Sequence, residues 1–359
     1  MGKHVQNTHI HVGDRRIGPG SPVYIIAEMS ANHQHDFEQA VAIIHAAKES
    51  GADAVKLQTY SPDTMTIDCD AESFLIPEGN TWSGRTLYDL YKEAYTPWDW
   101  QPKLKDVADQ IGIDLFSTAF DPSSVDFLEE MHVPIHKIAS FELVDLALIR
   151  KAAETGKPLL MSTGLASLSE IEEAVATARQ HGSGEILLFQ CTSSYPAEPT
   201  DANLRTIPHL REMFGAPTGL SDHTMGTAVS LASVALGACM IEKHFKLSNE
   251  TGGPDAAFSI TPQVLRELVD GVRMVEKAMG DVDYTVTAKE MDNRCFRRSL
   301  FVVEDVSAGT PFTEENVRSI RPGYGLPSKH LGDVIGKQAA RDVQRGEPMG
   351  WDLISGSEA

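Results

Sequence analysis

Four cysteines in 359 residues are a sparse supply, and Cys69, Cys191, Cys239 and Cys295 stand at no metal-ligand or redox spacing. That argues against a disulfide scaffold, a zinc ribbon or a thioredoxin-type motif, and free thiols are expected. No apolar run approaches the roughly 20 residues of a membrane span, and the N-terminus lacks the charged-then-apolar plan of a signal peptide. The expected compartment is the cytoplasm, with no membrane partner. Basic charge is scarce too: 31 Lys plus Arg against 51 Asp plus Glu give a net charge of −20. Such a chain repels phosphate backbones and anionic lipid surfaces, so nucleic acid is not an expected partner.

What the chain has in quantity is alternation. Apolar runs at 22–29, 52–58, 113–118, 134–140, 157–162, 185–191, 216–221 and 238–244 end in polar residues, and most are followed by apolar residues at helical spacing. This predicts α/β architecture, a parallel (β/α)8 barrel over residues 1–280, preceded by a short hairpin that ends near Arg16. His4, His9 and His11 in that hairpin read as scattered surface histidines. The segment 61–97, with Trp82, Arg85, Tyr88, Tyr91 and Tyr95, is too long for a simple strand-to-helix loop and reads as a lid or specificity loop. A patternless linker is expected over 281–294. After it comes a small β-rich module over 295–359, with β runs at 299–303 and 317–321 and a closing segment near 336–343.

Barrel chemistry sits at the C-terminal ends of the strands. Here those ends read Glu28; Lys56 and Gln58; Thr118; Lys137, Ser140 and Glu142; Ser162; Ser193 and Tyr195; Ser221, Asp222 and His223; Glu242 and His244. His223 and His244 end neighbouring strands, so their imidazoles can converge either on a divalent metal or on each other. Ser221-Asp222-His223 is no triad, because three consecutive residues cannot form the nucleophile, base and orienter relay. Lys56 and Lys137 face one mouth among Ser140, Ser162 and Ser221. They read as an anion pocket, with ion pairing to carboxylates such as Glu28 or a Schiff-base role as the alternatives. Glu28 and Glu142 read as acid/base groups, sugar-hydroxyl partners or structural carboxylates.

With these residues in hand, the chain resembles the sialic acid synthase family, and within it the pseudaminic acid synthases. The matching words are Ile25-Ile-Ala-Glu-Met-Ser-Ala-Asn-His33, Ala54-Val-Lys-Leu-Gln-Thr-Tyr60, Lys137-Ile-Ala-Ser-Phe-Glu142, Ser162-Thr-Gly164, Gly219-Leu-Ser-Asp-His-Thr224 and Ile241-Glu-Lys-His-Phe245. Arg298-Ser-Leu300 and Arg321-Pro-Gly-Tyr-Gly-Leu326 resemble the family's C-terminal antifreeze-like (SAF) domain. The resemblance implies condensation of phosphoenolpyruvate with an open-chain N-acetylated amino sugar to give a nonulosonic acid and phosphate. It implies Mn2+ or Mg2+ on His223 and His244, and phosphoenolpyruvate among Lys56, Gln58, Thr118, Lys137, Ser140, Ser162, Ser193 and Ser221. Glu28, Glu142, Tyr195 and Asp255 would address the sugar, joined by Arg321 from the partner subunit of a domain-swapped homodimer. Ser193 replaces the Asn of the sialic acid synthases' Cys-Thr-Asn-x-Tyr-Pro motif, and Asn80 lies in the long loop without an assigned role. Within the family, the implied sugar is 2,4-diacetamido-2,4,6-trideoxy-L-altrose, with N-acetylneuraminate or legionaminate synthesis as the alternative and a Schiff-base lyase more remote.

Overall fold

The computed structural model describes residues 8–79 and 82–356. His4 and Asn80 fall outside them. Two compact units divide at Met1–Gly280 and Asp281–Ala359.

The first unit opens with a hairpin of β1 (Ile10–Val12) and β2 (Arg15–Ile17). Ile10, Val12 and Ile17 are buried in the barrel's own hydrophobic core. Polar links fix which end they plug: the His11 ring lies 2.8 Å from Glu185 and Arg15 pairs with Asp53 at 2.6 Å, both just before a strand begins. The hairpin therefore closes the N-terminal end and leaves the other end open.

Eight parallel strands form the closed barrel: β3 (Tyr24–Glu28), β4 (Ala54–Thr59), β5 (Asp114–Ala119), β6 (His136–Ile138), β7 (Leu159–Ser162), β8 (Ile186–Cys191), β9 (Thr218–Ser221) and β10 (Met240–His244). They follow one another around the ring, and β10 closes onto β3 with His244 opposite Glu28. Because both faces of each strand are covered, they read as apolar runs instead of alternating ones. The period of 2 still decides direction. Along β10 and beyond β9, Glu242, His244, Ser221 and His223 share the inner side, while Lys243 and Asp222 turn outward and pair at 3.0 Å. Asp222 also accepts from the Thr224 N–H and the Ser230 hydroxyl. It braces the outer layer, the geometric reason no triad forms.

Helices start where the sequence supplies caps. Asp36 accepts from two N–H groups of the helix Phe37–Ser50, and Ser167 and Glu170 make a reciprocal capping box on Leu168–Gln180. The long segment after β4 is more ordered than a loop. It holds a short helix Pro62–Met65 and a full helix Leu87–Ala94, capped by the Thr86 hydroxyl.

In the second unit β11 (Ser299–Val302) pairs antiparallel with β12 (Val317–Ile320) over a small core that includes Leu300, Phe312, Val317 and Leu353. Two expectations need correction here. The closing segment near 336–343 pairs only through isolated bridges, such as Val306 with Val343 and Pro311 with Gln338. The stretch expected to be a patternless linker carries a helix, Ala288–Asp292, whose Thr287 and Glu290 form a capping box. That T-x-x-E signal is local and was outweighed by the polar composition around it.

Candidate active site

The open end of the barrel has a buried ionic floor. Lys56 Nζ lies 2.6 Å from Glu28 Oε2 and 3.7 Å from Glu242 Oε1, and donates to Thr118 Oγ1 at 2.9 Å. Lys137 Nζ reaches both Glu242 oxygens, at 3.3 and 3.2 Å, and Ser221 donates to the same carboxylate at 3.1 Å. Glu242 is thus the hub of the floor, a role the sequence did not single out. The lysines read as anion binders are ion-paired here, as the alternative expected, but the pairing is incomplete. Burial would raise Glu242, yet Lys137 and then Lys56 pull it down to about 2, so it is a full carboxylate. Burial lifts Glu28 to about 7 against the pull of Lys56. Two lysines and two carboxylates thus interlock on the floor, and both amines share Glu242.

Beside the lysines, a Cβ on Gly164 would overlap the Ser193 hydroxyl and sit 2.7 Å from Ser140 Oγ. Glycine lets the two hydroxyls and the Gly164 N–H converge, and that N–H already donates to Ser140 at 3.2 Å. Ser193, the residue that departs from the sialic acid synthase motif, is thereby placed with Ser140. Ser162 Oγ, Glu142 Oε2 and His244 Nδ1 are buried with no hydrogen-bond partner. Buried polar atoms are rarely left so. Glu142 and His244 line the cavity above the floor and Ser162 ends β7, so at this end of the barrel a ligand can supply the missing partners.

His223 and His244 do converge, with ring centres 5.3 Å apart. His223 Nδ1 lies 2.8 Å from the Thr192 carbonyl, which can only accept, so Nδ1 donates there and Nε2 is the nitrogen left to face a ligand. Burial, and then the neighbouring His223, push His244 well below the ordinary imidazole value. Imidazole nitrogens are donors that a divalent ion accepts, and the two rings lie close enough that both could contribute to one site. Among the described residues no group of three His, Cys, Asp or Glu is gathered as a metal site. An ion here would keep positions open for substrate or water.

Above the floor lies a cavity of about 410 Å³. Gln58, Glu142, Tyr195, His244 and Asp255 line its polar part, together with Ser30, which the sequence did not flag. Gln58 donates to Glu28 at 3.1 Å and to Ser30 at 2.9 Å, and Ser30 donates on to Asp255. Tyr195 packs on His223 at 4.5 Å and on Phe258 at 5.1 Å. Burial raises Glu142 to about 7. The segment after β4 roofs the cavity with Ile76, Trp82, Leu87, Leu90 and Tyr91. Tyr88, named with Trp82 and Tyr91 in the expected lid, does not line the cavity and donates its hydroxyl to Asp63 at 3.2 Å. Arg321 belongs to the second unit and is exposed there. All four thiols are free, as expected.

The model of the NeuB family matches residues 43–284, and that of the SAF domain matches residues 297–355. The chain belongs to the NeuB family. With that membership goes the reaction class that the motifs implied, phosphoenolpyruvate-dependent nonulosonic acid synthesis. Pseudaminic acid synthase of Helicobacter pylori is 40% identical over 94% of this chain and 99% of its own length. N,N'-diacetyllegionaminic acid synthase of Legionella pneumophila is 33% identical over 94% of this chain and 96% of its own. Among solved structures, N-acetylneuraminic acid synthetase of Leptospira borgpetersenii, in complex with citrate, superposes with a TM-score of 0.71 at 32% identity, covering 79% of this chain and 94% of that one. No helix among the described residues is long and apolar enough to cross a membrane.

Proposed function

We propose that this synthase condenses phosphoenolpyruvate with 2,4-diacetamido-2,4,6-trideoxy-L-altrose, giving pseudaminic acid and inorganic phosphate. The observation that carries the reading is a floor of two buried ammoniums and partnerless polar atoms beneath an apolar-roofed cavity. The 40% likeness to a pseudaminic acid synthase supports the choice of sugar.

Phosphoenolpyruvate takes its place by exchanging part of the lysines' pairing with Glu28 and Glu242 for its own phosphate and carboxylate. Thr118, Ser140, Ser162, Ser193, Ser221 and the Gly164 N–H supply the neutral donors. His223 and His244 would hold Mn2+ or Mg2+, which supplies a Lewis acid for the sugar aldehyde when bound. C3 of the enol forms a bond to the aldehyde carbon, and the aldehyde oxygen takes a proton from Glu142, which at about 7 is partly protonated at neutral pH. Water adds to the oxocarbenium-like C2 and returns a proton to Glu142. The C2–O bond to phosphate then breaks, and the C2 hydroxyl proton leaves with the phosphate. Glu28, Tyr195 and Asp255 orient the sugar, and Arg321 of the partner subunit closes over it in a domain-swapped homodimer. A Schiff base on Lys137 would need a free amine, and that amine is engaged by Glu242.

Phosphate release from phosphoenolpyruvate against a panel of mono- and di-N-acetylated hexoses tests the reading. The altrose-configured diacetamido sugar is expected to give the highest kcat/KM by at least about tenfold. Preference for N-acetylmannosamine or for the precursor of legionaminic acid would move the chain to another branch of the family. A borohydride-trapped pyruvate adduct without phosphate release would instead favour a lyase.

A further inference from the structure

We infer that Ile76, Leu87, Leu90 and Tyr91, all from the segment between β4 and β5, form the subsite for the deoxygenated C6 end of the sugar and thereby select 6-deoxy over 6-hydroxy substrates. This rests on the reading of a trideoxy diacetamido substrate given above.

The segment is built to present one apolar face. In the helix Leu87–Ala94, positions 87, 90, 91 and 94 fall at the i, i+3, i+4, i+7 spacing of a single stripe, and all four line the cavity. Ile76 is brought alongside by the antiparallel bridge of Leu75 with Thr86 and by its N–H donating to the Arg85 carbonyl at 2.9 Å. The segment's charged groups point elsewhere: Arg85 pairs with Glu93 at 2.6 Å, and Asp63 takes the Tyr88 hydroxyl. Trp82 fastens the roof to the loop that carries Asp255, its indole N–H donating to the Pro254 carbonyl at 2.9 Å.

The reacting aldehyde must lie on the floor, within reach of Glu142 and the histidine pair, so the far carbons of an open-chain hexose extend towards the roof. A methyl at C6 fits that surface. A hydroxyl there gives up water and meets mainly the aliphatic side chains of Ile76, Leu87 and Leu90 in exchange, with the Tyr91 phenol the one polar group of the four, and a largely apolar pocket of this kind discriminates by roughly 10- to 100-fold.

The test compares kcat/KM for 2,4-diacetamido-2,4,6-trideoxy-L-altrose with that for its 6-hydroxy counterpart. Wild type is expected to prefer the deoxy sugar by at least about tenfold. Leu87→Gln and Ile76→Thr should each cut this ratio by at least about fivefold, through KM of the deoxy sugar, with KM of phosphoenolpyruvate unchanged. Leu90→Met should keep the ratio, since shape and polarity are conserved. Thermal melting reports folding, and Leu87→Thr replaces Leu87→Gln if the latter does not fold. Folded variants with an unchanged ratio, or with equal losses for both sugars, overturn the subsite while leaving the substrate reading in place. A wild type that turns over neither sugar overturns the substrate reading and the subsite with it.

Discussion

At the scale of single residues, the site depends on polar atoms that lack partners inside the protein. His223 and His244 are the sharpest case: one imidazole donates from Nδ1 to a backbone carbonyl, and the other has a buried Nδ1 with no hydrogen bond. Either histidine changed to Ala should weaken Mn2+ binding by at least about 100-fold and abolish turnover, because two protein ligands cannot be replaced by one imidazole and water. Titration of the apo protein with manganese is the measurement, and unchanged affinity in both variants would make the pair structural. Glu142 gives a prediction with a sign. Its carboxyl is held at about 7, above the ordinary value of 4.5. The folded state therefore binds more protons than the unfolded state between these values, and stability falls as pH rises through that window. Glu142→Gln should lose about 100-fold or more in kcat. It should also be more stable to unfolding than wild type above pH 7, by roughly 1–3 kcal/mol, and melt correspondingly higher, with the gain gone near pH 4. A melting difference that does not change with pH would show that Glu142 carries no such burial penalty. Individual residues were legible where their type and strand position sufficed, as for Lys56, Lys137, His223 and His244. Glu242 was not, because its place as hub depends on two lysine side chains from other strands meeting it, which no spacing along β10 encodes.

At the scale of elements, the strand ends do the positioning, and Gly164 shows how tightly. It follows β7 by two residues, where the Ser140 and Ser193 hydroxyls close on the position a side chain would take. Gly164→Ala should push both hydroxyls aside and raise KM for phosphoenolpyruvate by about tenfold or more, with a smaller change in KM for the sugar. Equal effects on the two substrates would mean that these hydroxyls do not meet phosphoenolpyruvate. The eight strands were legible because parallel barrel strands are apolar on both faces and end in polar residues. Helix Leu87–Ala94 was not, although Thr86 and the 87, 90, 91 stripe announce it. Eight residues between Gly- and Pro-rich stretches make a weak periodic signal, and so Tyr88 was grouped with the cavity aromatics although it lies off the stripe.

At the scale of the whole molecule, the catalytic floor lies in the unit Met1–Gly280, and Arg321 lies in the other. The Arg321-Pro-Gly-Tyr-Gly-Leu motif was legible as part of an SAF module, and the module's match to residues 297–355 bears this out. Which barrel it serves is a property of assembly and not of local sequence, since a linker sets reach but not partner. If Arg321 acts in trans, a homodimer has two composite sites, each using one chain's barrel and the other chain's small unit. Arg321→Ala and Lys56→Ala should each be inactive alone, for they damage different halves of the same site. Mixed and allowed to exchange, half of the chains pairing at random form heterodimers, and in each heterodimer one site is doubly damaged and the other intact. Activity should therefore recover to about a quarter of that of wild type at equal protein concentration, by the two-fold symmetry of such a dimer. Heterodimers verified by differential tagging that remain inactive would place Arg321 over its own barrel and rule out the exchanged arrangement.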